Sequence, residues 1–181
     1  MAYYRFQGIV IKRINVGESD KLVTVFTHEL GKITLKAKGI RRLTSKRAGS
    51  LELFSQVSGS AVTGRGPIDT LTEVQLLDSH SSWKKHLGRI TVAYELCETL
   101  DKLTAEHQPH PELFLLFCEK LKHISGLGRN WRSQVDAWLT QFLIVLGFWP
   151  ANHPVTGDIH TYISSLAQKP LNSARLLNRL K

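Results

Sequence analysis

Over the first 80 residues, apolar and polar positions alternate in short runs separated by turn residues. The clearest run is Lys32–Lys38. Ile33, Leu35 and Ala37 fall on one face and Lys32, Thr34, Lys36 and Lys38 on the other, which is the period of a half-buried strand. Arg5–Arg13 carries Phe6, Ile9, Val10 and Ile11, and Lys21–Thr27 carries Leu22, Val23, Val25 and Phe26. Gly17 punctuates the gap between these two, and Glu29-Leu30-Gly31 reads as a hairpin turn before Lys32. A fourth run, Leu51–Val62, ends at the turn cluster Thr63-Gly64-Arg65-Gly66-Pro67, and a fifth covers Leu71–Leu76. Five short strands with closely spaced turns predict a small barrel.

Near Ser79 the period lengthens to that of a helix. From Trp83, apolar residues recur at Leu87, Ile90, Tyr94, Cys97, Leu100 and Leu103 as one amphipathic stripe. Pro109 and Pro111 suit the start of a second helix with Leu113, Phe114, Phe117, Leu121 and Ile124, and Gly126 suits its end. Asn130 is placed to cap a third, carrying Trp131, Val135, Trp138, Phe142 and Leu146 and stopped by Gly147 and Pro150. Two short helices, Asp158–Gln168 and Ser173–Leu180, complete the chain. The pattern predicts an α+β protein with domains at 1–79 and 80–181. No flexible linker separates them, so the two parts are expected to pack together.

Charge sharpens this picture. The 181 residues carry a formal net charge of +9, and the excess is N-terminal: residues 1–50 hold eleven Lys and Arg against Glu18, Asp20 and Glu29. Such a balance favours polyanionic partners, nucleic acid first and an anionic membrane surface second. The densest segment holds Lys32, Lys36, Lys38, Arg41, Arg42, Lys46 and Arg47 with no acid, and these side chains can neutralise phosphates and release counterions. No amphipathic helix carries them, which argues against a membrane surface. Among the aromatics in or near strands (Tyr3, Tyr4, Phe6, Phe26, Phe54), most suit the core. Tyr3 or Tyr4, near the chain end, is the candidate for an exposed ring that stacks on bases.

Enzyme chemistry finds little support. The eight histidines are scattered, with no H-E-x-x-H pattern, no G-x-S-x-G elbow and no phosphate-binding G-x-x-x-x-G-K-[ST] loop. His107-Gln108-Pro109-His110 reads as a loop between helices, and Gly64-Arg65-Gly66 as a hairpin turn with one exposed cation. Cys97 and Cys118 lie in helical segments and read as buried small side chains. No apolar run has transmembrane length and the N-terminus lacks a signal-peptide layout, so a cytoplasmic protein is expected.

Several stretches, in order, resemble one family. Gly8-Ile9-Val10-Ile11-Lys12 followed by Gly17-Glu18-Ser19-Asp20-Lys21-Leu22-Val23-Thr24-Val25-Phe26-Thr27 is similar to the opening of RecO proteins. So are Gly31-Lys32, Ala37-Lys38-Gly39-Ile40-Arg41-Arg42 and Ser45-Lys46. Gly64-Arg65-Gly66 before Leu71-Thr72-Glu73, Ala93-Tyr94-Glu95-Leu96, Pro111-Glu112-Leu113-Phe114 and Leu146-Gly147 continue the resemblance across residues 8–147.

The resemblance implies an N-terminal OB-fold, a helical C-terminal domain and a non-enzymatic role in recombinational repair. RecO proteins bind single- and double-stranded DNA, anneal complementary strands, join RecR, and engage the single-stranded DNA-binding protein so that RecA can load; RecF belongs to the same pathway. The expected DNA contacts are Lys32, Lys36, Lys38, Arg41, Arg42, Lys46, Arg47 and Arg65. In the family the helical domain receives the acidic, hydrophobic-ended tail of the single-stranded DNA-binding protein. Arg129, Arg132, Trp138 and Phe142 are the expected contacts for it. The resemblance also implies a bacterial, nucleoid-associated protein. Many members carry a four-Cys zinc module after the Leu-Gly of the third helix. Here Phe148–His160 offers only His153 and His160, so no metal or other cofactor is expected. The early stop leads us to expect a short form of the family, with Ser173–Lys181 capping the domain. Two other readings remain open: a general OB-fold binder acting on RNA, and a protein-binding adaptor. A nuclease or ligase is weaker, because no cluster of metal-binding carboxylates is present.

Overall fold

The structure, a computed structural model, describes residues 2–41, 49–64, 66–153, 157–168 and 171–173. It divides into two compact units. One comprises Met1–His80 with Thr104–Pro111, the other Ser81–Leu103 with Glu112–Lys181.

The first unit is a closed barrel of β1 (Tyr3–Val16), β2 (Asp20–Thr27), β3 (Gly31–Ala37), β4 (Gln56–Val62) and β5 (Asp69–Asp78). The order β1-β2-β3-β5-β4, closed by β1 pairing with β4, is that of a five-stranded OB-fold. β1 is longer than its alternation suggested because it serves two partners. Tyr3–Ile9 pairs with β4 and Gly8–Val16 with β2, and a bulge lies between Val10 and Lys12. The bulge bends the strand around the barrel and explains why Ile9, Val10 and Ile11 are buried in succession. The predicted fourth strand is shorter than expected: Gly49–Leu51 forms a 3-10 turn and pairing starts only at Gln56. Val10, Val23, Val25, Ile33, Leu35, Leu51, Val57, Ala61 and Leu71 fill the interior.

β3 and β5 pair in parallel at Leu35 and Lys36 alone. The N-terminal half of β3 is therefore left with an edge on that side. Residues 104–111 occupy it: Lys32 bridges to Glu106, its carbonyl accepts the His107 N–H at 2.9 Å, and the Thr34 hydroxyl donates to Glu106 at 2.7 Å. Gly31 admits this segment, since a Cβ there would collide with the Gln108 backbone, and its φ of 69° suits glycine.

The second unit contains α1 (Ser81–Lys84), α2 (Leu87–Leu103), α3 (Pro111–His123), α4 (Trp131–Val145) and α5 (Ile159–Leu166). The stripe read from Trp83 onward needs correction. The helix breaks after Lys84, Leu87 and Tyr94 are exposed, and the buried face of α2 is Thr91, Val92, Ala93, Glu95, Leu96, Cys97, Thr99 and Leu100. The stripe was misphased because this face buries three polar side chains. Asn130 precedes α4 as expected, but its side chain makes no capping hydrogen bond. Asp158 does cap α5, accepting the His160 N–H at 3.1 Å. The expected helix Ser173–Leu180 lies almost wholly outside the described residues. Among the described residues no helix is long and apolar enough to cross a membrane.

Candidate nucleic-acid interface

Two stretches separated by strands β2 and β3, one acidic and one basic, meet at one corner of the barrel. The turn between β1 and β2 supplies Gly17 and Ser19, and the first residue of β2 is Asp20; the end of β3 and the following turn supply Lys36, Lys38, Gly39 and Arg41. Asp20 laces them together. One carboxylate oxygen accepts the Gly39 N–H at 2.8 Å and the Ser19 hydroxyl at 3.2 Å, while the other pairs with Lys36 Nζ at 3.3 Å. Arg41 closes the corner, its backbone N–H donating to the Ser19 carbonyl at 2.9 Å and its guanidinium to the Gly17 carbonyl at 3.0 Å. The Gly39 N–H, with Lys36 and Ser19 adding to it, holds the Asp20 carboxyl below the usual carboxylate range, so it stays ionised. Gly39, at φ 64°, makes the turn that presents Lys38 and Arg41 on the exposed surface. Such a corner can hold a phosphate backbone by charge while its own framework is fixed by backbone hydrogen bonds.

The remaining expected contacts separate. Lys32 is 7 % exposed, covered where residues 104–111 cross β3, and so leaves the strip of lysines that its alternation suggested. Arg42, Lys46, Arg47 and Arg65 lie outside the described residues. Of the two terminal tyrosines, Tyr4 is turned inward and its hydroxyl donates to Asp69 at 2.7 Å, whereas Tyr3 is 60 % exposed. The organising role of Asp20 was missed. Its partners lie in a different strand, and an acid within a basic segment reads in sequence only as a subtraction of charge.

In the helical unit the four expected partner contacts also divide. Trp138 lines a groove of about 380 Å³ with His123, Gly126, Leu127, Gln134, Ala137 and Gln141, and Lys120 Nζ sits 5.9 Å from its ring centre. Arg132 stacks instead on Trp131 at 5.2 Å, and Trp131 lines a second groove with His86, Gly88, Arg89, Val92 and Leu127. Arg129 is exposed in the turn before α4. Phe142 is fully buried and meets Phe117 edge-on at 6.3 Å, so it belongs to the core, as its place in the helical stripe allows.

His160 lies between two carboxylates, Glu95 at 2.6 Å on Nδ1 and Asp136 at 3.2 Å on Nε2. Glu95 is sealed from solvent, and it meets the imidazole as a close ion pair. Glu95 chiefly, then the charges of Asp136 and Asp158, raise the His160 pKa against the opposing effect of burial. His160 is thus committed to ion pairs, Cys97 is buried in α2 and Cys118 lies in α3, its thiol pushed up to about 11 by burial. These residues do not fit a four-thiolate zinc site. Among the described residues no group of three or more His, Cys, Asp or Glu is placed to hold a metal.

Comparison with known proteins bears on both units. The family model "Recombination protein O N terminal" matches residues 1–80, and "Recombination protein O C terminal" matches residues 85–153. The chain belongs to the RecO family. Relatives named "DNA repair protein RecO" include that of Symbiobacterium thermophilum, 33 % identical over 151 residues, covering 83 % of this chain and 59 % of the relative. The Nocardioides protein is 35 % identical over 154 residues, 82 % of this chain and 61 % of its own. That of Listeria welshimeri is 33 % identical over 144 residues, 80 % and 56 % respectively. The chain therefore spans somewhat over half the length of these RecO relatives. Two of the stretches through which it resembles RecO, Gly17-Glu18-Ser19-Asp20 and Ala37-Lys38-Gly39-Ile40-Arg41, converge at the basic corner.

Proposed function

We propose that this RecO-family chain is a non-enzymatic DNA-binding recombination mediator in DNA repair. It binds single- and double-stranded DNA at the barrel corner, anneals complementary strands, and helps load RecA onto strands coated by single-stranded DNA-binding protein, in company with RecR. It works in the cytoplasm, at the nucleoid. The observation that carries this reading is the Asp20-laced corner, which presents Lys36, Lys38 and Arg41 on one exposed edge of an OB-fold. Arg42, Lys46, Arg47 and Arg65, which lie outside the described residues, are further phosphate contacts proposed from sequence alone. Holding two phosphate backbones against shared cations offsets the repulsion that opposes annealing. The Trp138 groove, with His123 and Lys120 beside it, is the seat for the apolar end of the coating protein's acidic tail.

The test is annealing of complementary oligonucleotides, bare and coated, together with the salt dependence of binding. About five phosphate contacts on a single strand give a log–log slope near −3.5, at roughly −0.7 per contact. Reversing Arg41 and Arg42 to Glu should weaken all DNA sequences about equally. Unchanged binding after that double reversal would reduce the corner to a solvated surface.

A further inference from the structure

The barrel carries a second surface that reaches the basic corner by an unbroken row of residues. Lys36 pairs with Thr70, Thr70 with Val62, and Val62 with Tyr3, so one ladder row runs from β3 across β5 and β4 to β1. In the next row Tyr4, Ala61 and Leu71 point inward against the core, which places the side chains of the Lys36–Tyr3 row on the outside. Three interstrand spacings separate its ends, about 14 Å at roughly 4.8 Å each. That is a span a few nucleotides long.

Tyr3 is held in an unusual way for a residue 60 % exposed. Its hydroxyl bonds to the Ser60 hydroxyl at 3.2 Å and the Thr72 hydroxyl at 2.9 Å, and those two are 3.1 Å apart. Ser60 stands opposite Arg5, two residues from the Val62 that pairs with Tyr3, and Thr72 belongs to the strand beyond. To reach both, the phenol must lie across β4 rather than stand off it. A bulge between Ser60 and Ala61 makes this possible: Ser60 pairs with Glu73 and Ala61 with Leu71, so Thr72 is the extra residue of the bulge and its hydroxyl turns into the cluster. The ring is thus held at its hydroxyl across β4 while the residue stays 60 % exposed. Arg5 follows on the same face and opens a groove of about 610 Å³ with Ser58, Ser60, Glu73 and Gln75 among its walls.

We propose that Tyr3 is a stacking platform for an unpaired base of single-stranded DNA whose backbone continues from the Lys36–Lys38 corner. Arg5 supplies the phosphate contact beside it. Glu73 repels a further phosphate and accepts a hydrogen bond from a base amino group, so the groove takes a base edge. A pinned aromatic beside a cation, joined to a basic rim, is the arrangement that binds single strands with little regard to sequence. This inference rests on the DNA-binding reading above and extends it, because the corner alone would treat a duplex and a single strand alike.

The experiment compares a labelled deoxycytidine oligonucleotide with an abasic oligonucleotide of the same length by fluorescence anisotropy. The protein should prefer the oligonucleotide with bases about tenfold, the effect of one stacked ring. Tyr3→Ala should erase most of that preference while abasic binding stays unchanged. Tyr3→Phe keeps the ring without its tether and should retain most of the preference, with circular dichroism confirming that both variants fold. A wild-type protein indifferent to bases, or a preference that survives Tyr3→Ala, would overturn the platform. Lys36→Glu with Lys38→Glu tests the underlying reading separately: it should weaken both oligonucleotides together. If it has no effect while Tyr3→Ala does, the platform stands and the basic corner falls.

Discussion

The barrel and the helical unit handle charge in opposite ways. At the barrel corner Asp20 is spent on a backbone N–H and one lysine, and Lys38 and Arg41 are presented to the exterior. In the helical unit, charge is drawn inward. Glu95 is fully buried on α2, and His160 of α5 joins it to Asp136 of α4. Glu98 is handled similarly, accepting the Asn172 and Ser173 N–H groups at 2.8 Å each and pairing with Lys102 at 2.9 Å. Outward charge recruits a partner and costs little to remove. Inward charge fixes the fold and is expensive to disturb, because a buried ion that loses its partner cannot turn to water.

The largest effect should therefore come from His160→Ala, which strands the Glu95 carboxylate. Loss of about 3 kcal/mol is expected, at the lower end of the range for broken buried pairs because the imidazole is partly solvated. Thermal denaturation measures it, and a change under 1 kcal/mol would mean that Glu95 finds water. The same pair sets a pH dependence. The folded-state pKa of His160 is raised above its ordinary 6.5, so its stabilisation is complete below that value and fades as pH rises through the folded-state pKa. The melting temperature of the wild type should fall across that interval more steeply than that of His160→Ala.

A smaller effect should separate the two grooves of the helical unit. Trp138→Ala should weaken binding of an acidic, hydrophobic-ended tail peptide about tenfold, close to 1.4 kcal/mol. Arg132→Glu tests whether the Trp131 groove takes part, since Arg132 is stacked there. A tenfold loss with naked-DNA binding intact would join both grooves into one tail site, whereas equal losses of DNA and peptide would assign both ligands to one surface. At the barrel, Asp20→Asn keeps an acceptor for the Gly39 N–H and releases Lys36. DNA affinity at low salt should rise about two- to threefold, as for a weak exposed pair, and anisotropy titrations would detect a fall if the pairing were instead needed to aim Lys36. The smallest effect expected is none at all: chelators should leave the melting temperature unchanged and elemental analysis should find no stoichiometric zinc. One zinc per chain would contradict the ion-paired role of His160.

The same contrast decides what could be read from sequence. β3 was legible because Ile33, Leu35 and Ala37 are buried while the polar Thr34 and Lys36 between them are only half-buried, so the apolar positions stand out. α4 was legible as a helix, but its face only in part: Val135 and Phe142 of the expected stripe are buried, whereas Leu139 and Leu143 complete the buried face and Trp131, Trp138 and Leu146 are half-exposed. α2 was not, because Thr91, Glu95 and Thr99 are buried, and Glu95 is tolerated there only by virtue of a histidine 65 positions further on. Local pattern carries no trace of such a partner. At the corner, the cations were visible as a run of charge, but not the carboxylate that organises them. Burial of Lys32 was equally invisible, since the segment that covers it lies more than 70 residues away. The exposed tyrosine was narrowed to two neighbours by the strand's end, and the inward-outward alternation of β1 chose Tyr3.

The passage of residues 104–111 along β3 has a consequence for how this protein can be divided. A fragment ending at residue 80 contains every strand of the barrel, yet it lacks the segment that satisfies the Lys32 carbonyl and covers the start of β3. Its β3 would present an open, apolar-backed edge of the sort through which sheets recruit one another. Such a fragment should associate with itself and aggregate, and appending residues 104–111 through a short linker should restore its solubility. The autonomy of this barrel thus depends on a loan from the far side of a helix.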